Sequence, residues 1–200
     1  MTPPDDLVIG DDGLARCRWG ASPPIYLDYH DREWGQPVTD EVTLFEKVCL
    51  EGFQAGLSWL TILRKRPEFR SAFHEFDPDR VAKMGPEQVD ELLQNPGIVR
   101  HRGKIEATIN NAQRLRELHE NGVTLRQLFW GVAEQTSPIA PRTFADVPSI
   151  TPESIALSKQ LKESGFKFVG PTTCYAAMQA MGVVNDHLLG CHARAAVHNK

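Results

Sequence analysis

Among the 200 residues, four cysteines and seven histidines are the side chains best suited to grip a metal ion. Cys49 and Cys174 fall on apolar helical faces beside Val48 and Tyr175, and read as small buried hydrophobes. Cys17 and Cys191 differ: each lies in a polar, irregular stretch near a chain end, with a histidine nearby, His30 and His187 respectively. His187 and Cys191 are four residues apart, one above the other if that piece is helical, which suits two ligands of one ion. Two thiols and two imidazoles match a closed tetrahedral zinc site, and it would tie the N-terminal segment to the C-terminal one. The twelve-residue gap between Cys17 and His30 is not a finger spacing, free thiols are the alternative, and His192 and His198 are spare candidates.

A second group is aromatic and acidic: Tyr26, Tyr29, Trp34, Glu51 and Trp59. Glu51 sits between Leu50 and Gly52, one turn after Val48, where a helical pattern calls for an apolar residue. A carboxylate there either caps a break in the helix or lines a pocket. Any one of these rings reads as core. Several rings with one buried acid make a slot for a flat, electron-poor ring, held by stacking and cation–π attraction while the carboxylate accepts its N–H donors. The third feature is the run Gly165-Phe166-Lys167-Phe168-Val169-Gly170-Pro171-Thr172-Thr173. A tight turn that delivers Gly170 to a helix N-terminus leaves backbone N–H groups pointing outward, a seat for a phosphate.

The chain that must position these groups reads as mostly helical. Asp40 or Thr39 caps a helix whose apolar residues Val42, Leu44, Phe45, Val48 and Cys49 recur at helical spacing. Gly52 and Gly56 predict a break, followed by a helix over 57–64 that ends before Pro67. Asp77-Pro78 and Gly85-Pro86 each open a helix, the second running to Leu93. A long amphipathic helix over 104–119 carries Ile105, Ile109, Ala112, Leu115 and Leu118 along one side and stops at Asn121-Gly122. A short helix over 125–130 precedes a polar, proline-bearing link over 135–148, and Thr151-Pro152 starts a helix over 154–163. Alternating strand patterns are nearly absent, so the fold class is all-α.

A composition of 41% hydrophobic and 24% charged residues excludes wholesale disorder, and the length fits one domain or two closely packed lobes. No run approaches the ~20 apolar residues of a membrane span. Residues 1–15 carry four aspartates and no base, unlike a signal peptide, so a cytoplasmic protein is expected. Those four acids account for the whole net charge of −4 and leave residues 16–200 neutral. Three basic patches stand out: Arg64-Lys65-Arg66 with Arg70, Arg100-His101-Arg102-Gly103-Lys104, and Lys159, Lys162 and Lys167. Each alone reads as a solvated face; together they allow a modest anion-binding surface but not a chain that coats nucleic acid by bulk charge.

In order and in spacing, five blocks resemble the constitutive bacterial DNA-3-methyladenine glycosylases of the helix-hairpin-helix superfamily. They are Cys17-Arg18-Trp19-Gly20, Tyr29-His30-Asp31-Arg32-Glu33-Trp34-Gly35, Leu50-Glu51-Gly52-Phe53-Gln54-Ala55-Gly56-Leu57-Ser58-Trp59, Gly97-Ile98-Val99-Arg100-His101-Arg102-Gly103-Lys104-Ile105, and Gly165 onward to Asp186-His187. The resemblance implies an all-helical, two-lobed fold with its active site in the cleft between lobes. Residues 13–192 would form that unit, with 1–12 a disordered acidic extension and 193–200 a mobile tail. It implies a structural zinc on Cys17, His30, His187 and Cys191; relatives often carry further cysteines just after the last ligand, where this chain has His192. It implies a base pocket of Glu51, Tyr29, Trp34 and Trp59 with Gln54 close by, and a DNA-backbone hairpin including Lys167, Phe168, Gly170 and Thr172. Phe168 stands where the superfamily turn has its first glycine, and Asn185, next to Asp186, falls where most of the superfamily has a catalytic aspartate.

That absence has a chemical rationale. A purine alkylated at N3 carries positive charge, so its glycosidic bond already has a good leaving group and needs less acid catalysis. The expected activity is monofunctional hydrolysis of the N-glycosidic bond of 3-methyladenine in double-stranded DNA, by a monomer, after the nucleotide is flipped out. Glu51 would read the adenine N–H edge and favour the cation, with direct activation of water as a second option. On the same physics 3-methylguanine would be a weak substrate and 7-methylguanine a poor one. Two rival classes are a zinc-stabilised DNA-binding module without catalysis, and a glycosylase-lyase using Lys167 or a residue from elsewhere as nucleophile.

Overall fold

The computed structural model describes residues 6–132 and 140–197. A short antiparallel hairpin, β1 (Leu7–Ile9) and β2 (Ala15–Cys17), pairs Leu7 with Cys17. Ten helices follow among the described residues: α1 (Pro24–Arg32), α2 (Glu41–Gln54), α3 (Trp59–Ala72), α4 (Pro78–Val81), α5 (Pro86–Gln94), α6 (Arg102–Glu120), α7 (Leu125–Gly131), α8 (Pro152–Glu163), α9 (Pro171–Ala180) and α10 (His192–Val197). The fold is all-α, as the periodicity requires. Its starts are local: Asp40 accepts from the Thr43 N–H, Ser58 from Thr61, Asp77 from Asp79 and Arg80, and Thr124 from Gln127.

α2 is the axis of the molecule. Ten consecutive residues, Leu44 to Phe53, are buried, because α3, α6, α7 and α9 pack around it. Phe45, Phe53, Phe69, Phe73 and Phe76 form the centre of the main core, all but fully buried, with Phe73 and Phe76 stacked at 5.7 Å. Truncating one of these rings to Ala would cost about 3–5 kcal/mol. A helix buried all round must also find partners for its charges, and α2 carries three of them in that stretch: Glu46, Lys47 and Glu51.

Four local expectations change. α2 runs through Gly52 and ends only at Gln54, with Gly56 at φ +79°; Gly52 is needed for close approach, since a Cβ there would lie 3.3 Å from the Phe168 Cβ. α3 runs through Pro67, because burial of Ile62, Leu63 and Phe69 on either side outweighs the roughly 3 kcal/mol of an interior proline. The segment expected to be a disordered extension contains β1: Leu7 is buried against Cys17, Leu188 and Cys191, and the Asp6 carboxylate accepts from the Phe144 N–H. Residues 193–197 of the expected mobile tail belong to α10, with Ala193 fully buried. Residues 1–5, the start of the polar link (135–139) and His198 lie outside the described residues.

Candidate functional site

Cys17 ends β2, His30 lies on α1, and His187 and Cys191 flank the turn before α10. The four are buried, and their donor atoms all lie within 4.8 Å of one another. His30 Nε2 is 3.5 Å and His187 Nδ1 3.7 Å from the Cys191 sulfur. Tetrahedral zinc–nitrogen and zinc–sulfur bonds imply an edge of about 3.6 Å between such donors, so the set fits the ion. Gly20 makes room for it, since a Cβ there would collide with the His30 ring. Neighbours orient both imidazoles: His30 Nδ1 bonds Asp31 at 2.7 Å, and His187 Nε2 donates to the Trp34 carbonyl at 3.0 Å. Burial raises the Asp31 carboxyl, but hydrogen bonds from Arg16, His30 and His192 more than reverse this and hold it well below the carboxylate range. The Cys17 thiol is pushed up by its hydrogen bond to Cys191 and by burial, while that same bond, with His187 and His30, pulls Cys191 toward thiolate.

The aromatic residues adjoin this cluster. A chain of ring contacts runs from Trp59 to Tyr29 (5.4 Å), Tyr29 to Trp19 (6.4 Å), Trp19 to Trp34 (5.0 Å) and Trp34 to His187 (4.7 Å). Tyr26 meets Trp19 edge-on at 5.7 Å. Tyr29 is buried, whereas Trp34 and Trp59 are half-buried. The Trp59 indole Nε1 is buried with no hydrogen-bond partner among the described residues.

Of the three charges buried in α2, two are neutralised. Glu46 accepts from Arg70 at 2.9 Å and Lys47 donates to Glu33 at 2.8 Å. Glu51 is only 5% exposed and makes no hydrogen bond among the described residues. Burial pushes its carboxyl up to about 8, against a smaller pull from Lys47 one turn earlier. Because α2 continues past Glu51, the carboxylate caps no helix break. It acts on the Tyr29 phenol, which burial and then the charge of Glu51 push well above its ordinary value. Gln54, half-buried, closes α2 one turn further on, and Trp59 opens α3 across a four-residue connection.

Residues 164–170 join α8 to α9 as a tight hairpin. Phe168 adopts φ +56°, the left-handed conformation a glycine would take at no cost, and remains 40% exposed beside the His101 ring. Gly170 is the N-cap of α9, and Thr172 is exposed in its first turn. Asn111 holds the turn in place, donating to the Lys167 carbonyl and accepting from its N–H. The first two basic patches are partly taken up by contacts within the fold. Lys104 is buried, with Nζ donating to the carbonyls of Phe53 and Ala55, so it supports the end of α2 and meets no phosphate. Arg66 bonds Glu33, Arg70 bonds Glu46, and Arg102 bonds Asp90. Asn185 bridges the His187 N–H and the Arg194 carbonyl, while Asp186 accepts from Tyr175 and Gln179. Both side chains are committed to holding the metal-side loop.

Known proteins resemble this chain in sequence and in fold. The family model for methyladenine glycosylase matches residues 19–195. The chain belongs to the methyladenine glycosylase family. It is 50% identical over 179 residues to DNA-3-methyladenine glycosylase 1 of Escherichia coli, covering 89% of this chain and 96% of that protein. It is 48% identical to the DNA-3-methyladenine glycosylase of Haemophilus influenzae, over 88% of this chain and 96% of that one. A crystal structure of 3-methyladenine DNA glycosylase I superposes with a TM-score of 0.86 at 50% identity, covering 88% of this chain and 98% of the other. The Staphylococcus aureus enzyme, solved for the structural basis of its 3-methyladenine recognition, gives 0.85 at 37% identity, covering 90% and 96%.

Within this member of the methyladenine glycosylase family, sequence reasoning missed three residues at the site. Trp19 sits at the centre of the ring chain; its place two residues after Cys17 was the available signal. Glu33 and Lys47 pair beneath Tyr29, with Lys47 Nζ 5.9 Å from the ring centroid, and no local pattern pointed to them.

Proposed function

We propose that this chain excises 3-methyladenine from alkylated double-stranded DNA, hydrolysing the N-glycosidic bond of a flipped-out nucleotide to release the base and leave an abasic site. The observation that carries this reading is Glu51, a buried carboxylate near Tyr29 that makes no hydrogen bond among the described residues. An N3-alkylated adenine brings what that carboxylate lacks, a positive ring and N–H donors, while Tyr29, Trp34 and Trp59 offer faces for it. The energetic logic is differential: a normal adenine has no charge to compensate the cost of ionising a buried acid. Water then attacks an oxocarbenium-like sugar whose leaving group is already activated. The hairpin with Lys167, Phe168, Gly170 and Thr172 would hold the DNA backbone, and its exposed turn and helix N-terminus support that. Cys17, His30, His187 and Cys191 would hold one zinc, whose contribution is to fix the two chain ends rather than to enter the reaction. No described helix is long and apolar enough to cross a membrane; the proposed form is a monomer working on cytoplasmic DNA.

The deciding experiment is single-turnover release of free purines from methylated duplex DNA, resolved by chromatography. Wild type should release 3-methyladenine, with little 7-methylguanine, and Glu51→Gln should slow release by about tenfold or more, the worth of a charge-assisted hydrogen bond. Equal rates for the two proteins would remove Glu51 from the site, and a protein–DNA adduct trapped by borohydride would favour the lyase.

A further inference from the structure

Lys47 and Glu51 are one turn apart on α2, the separation at which lysine and glutamate side chains meet on a helix. Both are buried, at 4% and 5% exposure, so an unpaired charge on either is costly. They do not pair. Lys47 Nζ donates instead to Glu33 Oε1 at 2.8 Å, and no hydrogen bond joins it to Glu51. Glu33 follows the end of α1, and its carboxylate is fixed from the other side by Arg66, whose Nη1 lies 2.6 and 2.7 Å from its two oxygens. Burial disfavours the Glu33 charge, but Lys47 and Arg66 more than offset this and keep the carboxyl below its ordinary value. Glu33 therefore stays ionised and remains available to hold the lysine.

We propose that Glu33 is a positioning residue that keeps Lys47 off Glu51, reserving the Glu51 carboxylate for a cationic base. The inference rests on the reading of Glu51 given above and adds the means by which its oxygens are kept free of a protein partner. Were Lys47 to swing onto Glu51, it would occupy the acceptor oxygens and set a fixed positive charge at the slot. A ring that is itself positive would then be repelled from the site meant to select it. The three-charge cluster of Glu33, Lys47 and Arg66 thus acts on specificity through Glu51 without touching the base.

The test compares wild type, Glu33→Gln, Lys47→Met and the double variant in single-turnover release of 3-methyladenine from methylated duplex DNA. Glu33→Gln should be slower by about tenfold or more, because the freed lysine neutralises the anion. Adding Lys47→Met should restore the rate to within about threefold of the Lys47→Met single variant, a rescue that a merely structural role for Glu33 would not give. A wild-type rate for Glu33→Gln, or a folded double variant no faster than Glu33→Gln, would overturn the proposal. Should Glu33→Gln not fold, the comparison of Lys47→Met with the double variant decides it: equal rates support the proposal and a slower double variant refutes it. Independently of turnover, a crystal structure of Glu33→Gln, or of its nearest folded analogue Glu33→Ala, should show Lys47 Nζ against the Glu51 carboxylate; a lysine that stays where it was would sink the idea. Failure of the underlying reading looks different, since wild type itself would then release no 3-methyladenine or match Glu51→Gln.

Discussion

Glu51 illustrates how one side chain can set stability against function. Its carboxyl lies at about 8 in the folded protein against 4.5 ordinarily, because burial penalises the anion. Between those two values the folded chain holds a proton that the unfolded chain has released, so stability declines as pH rises through that window. The total is on the order of a few kcal/mol. Glu51→Gln removes the penalty. Its melting temperature should match wild type near pH 4 and exceed it at pH 9, measured by calorimetry. A wild type that is the more stable of the two at pH 9 would mean that the carboxylate has a compensating partner. Among the aromatic neighbours the buried, unpartnered Trp59 Nε1 carries a smaller cost of the same kind, while Trp19 packs against the rings of Tyr29 and Trp34.

At the scale of an element, the hairpin between α8 and α9 depends on groups it does not contain. Asn111 on α6 makes two hydrogen bonds to the Lys167 backbone, at 2.8 and 3.0 Å, and accepts a third from Asn110. Ser158 on α8 donates to the Val169 carbonyl at 2.6 Å, and Asn110 donates to the Gly165 carbonyl. Those anchors hold Phe168 in a conformation that is unfavourable by roughly 1–2 kcal/mol for a residue with a side chain. Asn111→Ala leaves the Lys167 N–H and carbonyl without these partners and should cost about 2 kcal/mol in urea denaturation. It should also weaken binding to undamaged duplex DNA and speed hydrogen exchange in the hairpin. Unchanged exchange at residues 165–170 would show that the turn is held by its own chain.

On the scale of the whole molecule, the two cysteines and two histidines suited to hold a metal join pieces that are distant in sequence. Cys17 comes from β2, His30 from α1, and His187 and Cys191 from the last loop, and a second small core of Leu7, Leu188 and Ala193 closes over them. Around it, Arg16 bonds both Asp12 and Asp31, and His192 bonds Asp31 at 2.9 Å, so the N-terminal hairpin, α1 and α10 converge on one carboxylate. Elemental analysis should find one zinc per chain. Removing it with a strong chelator should expose residues 6–22 and 185–197 to limited proteolysis while the core around α2 resists, because that core shares no ligand with the site. Uniform digestion of the whole chain would mean that the metal controls global folding.

Much of the fold was legible because its signals are local. Asp40 and Asp77 cap the helices they precede, and the 3.6-residue period marks the face of α6 that carries Ile105, Ala112 and Leu115. Pro67 misled, since helix propensity weighs less than the burial of Leu63 and Phe69, and burial is not a local property. The hairpin of Leu7 with Cys17 was invisible for the same reason: three-residue strands hold only because the C-terminal loop covers them. By itself the sequence determined the helix order, the donor types at the metal-binding set and the presence of a carboxylate where an apolar residue was due. Only the tertiary structure decided which charges are neutralised, burying Lys104 under two carbonyls and pairing Lys47 with Glu33 while Glu51 is left alone. Electrostatic pairing depends on distances of a few ångströms between elements far apart in the chain, and no pattern of residue types along one helix encodes those distances.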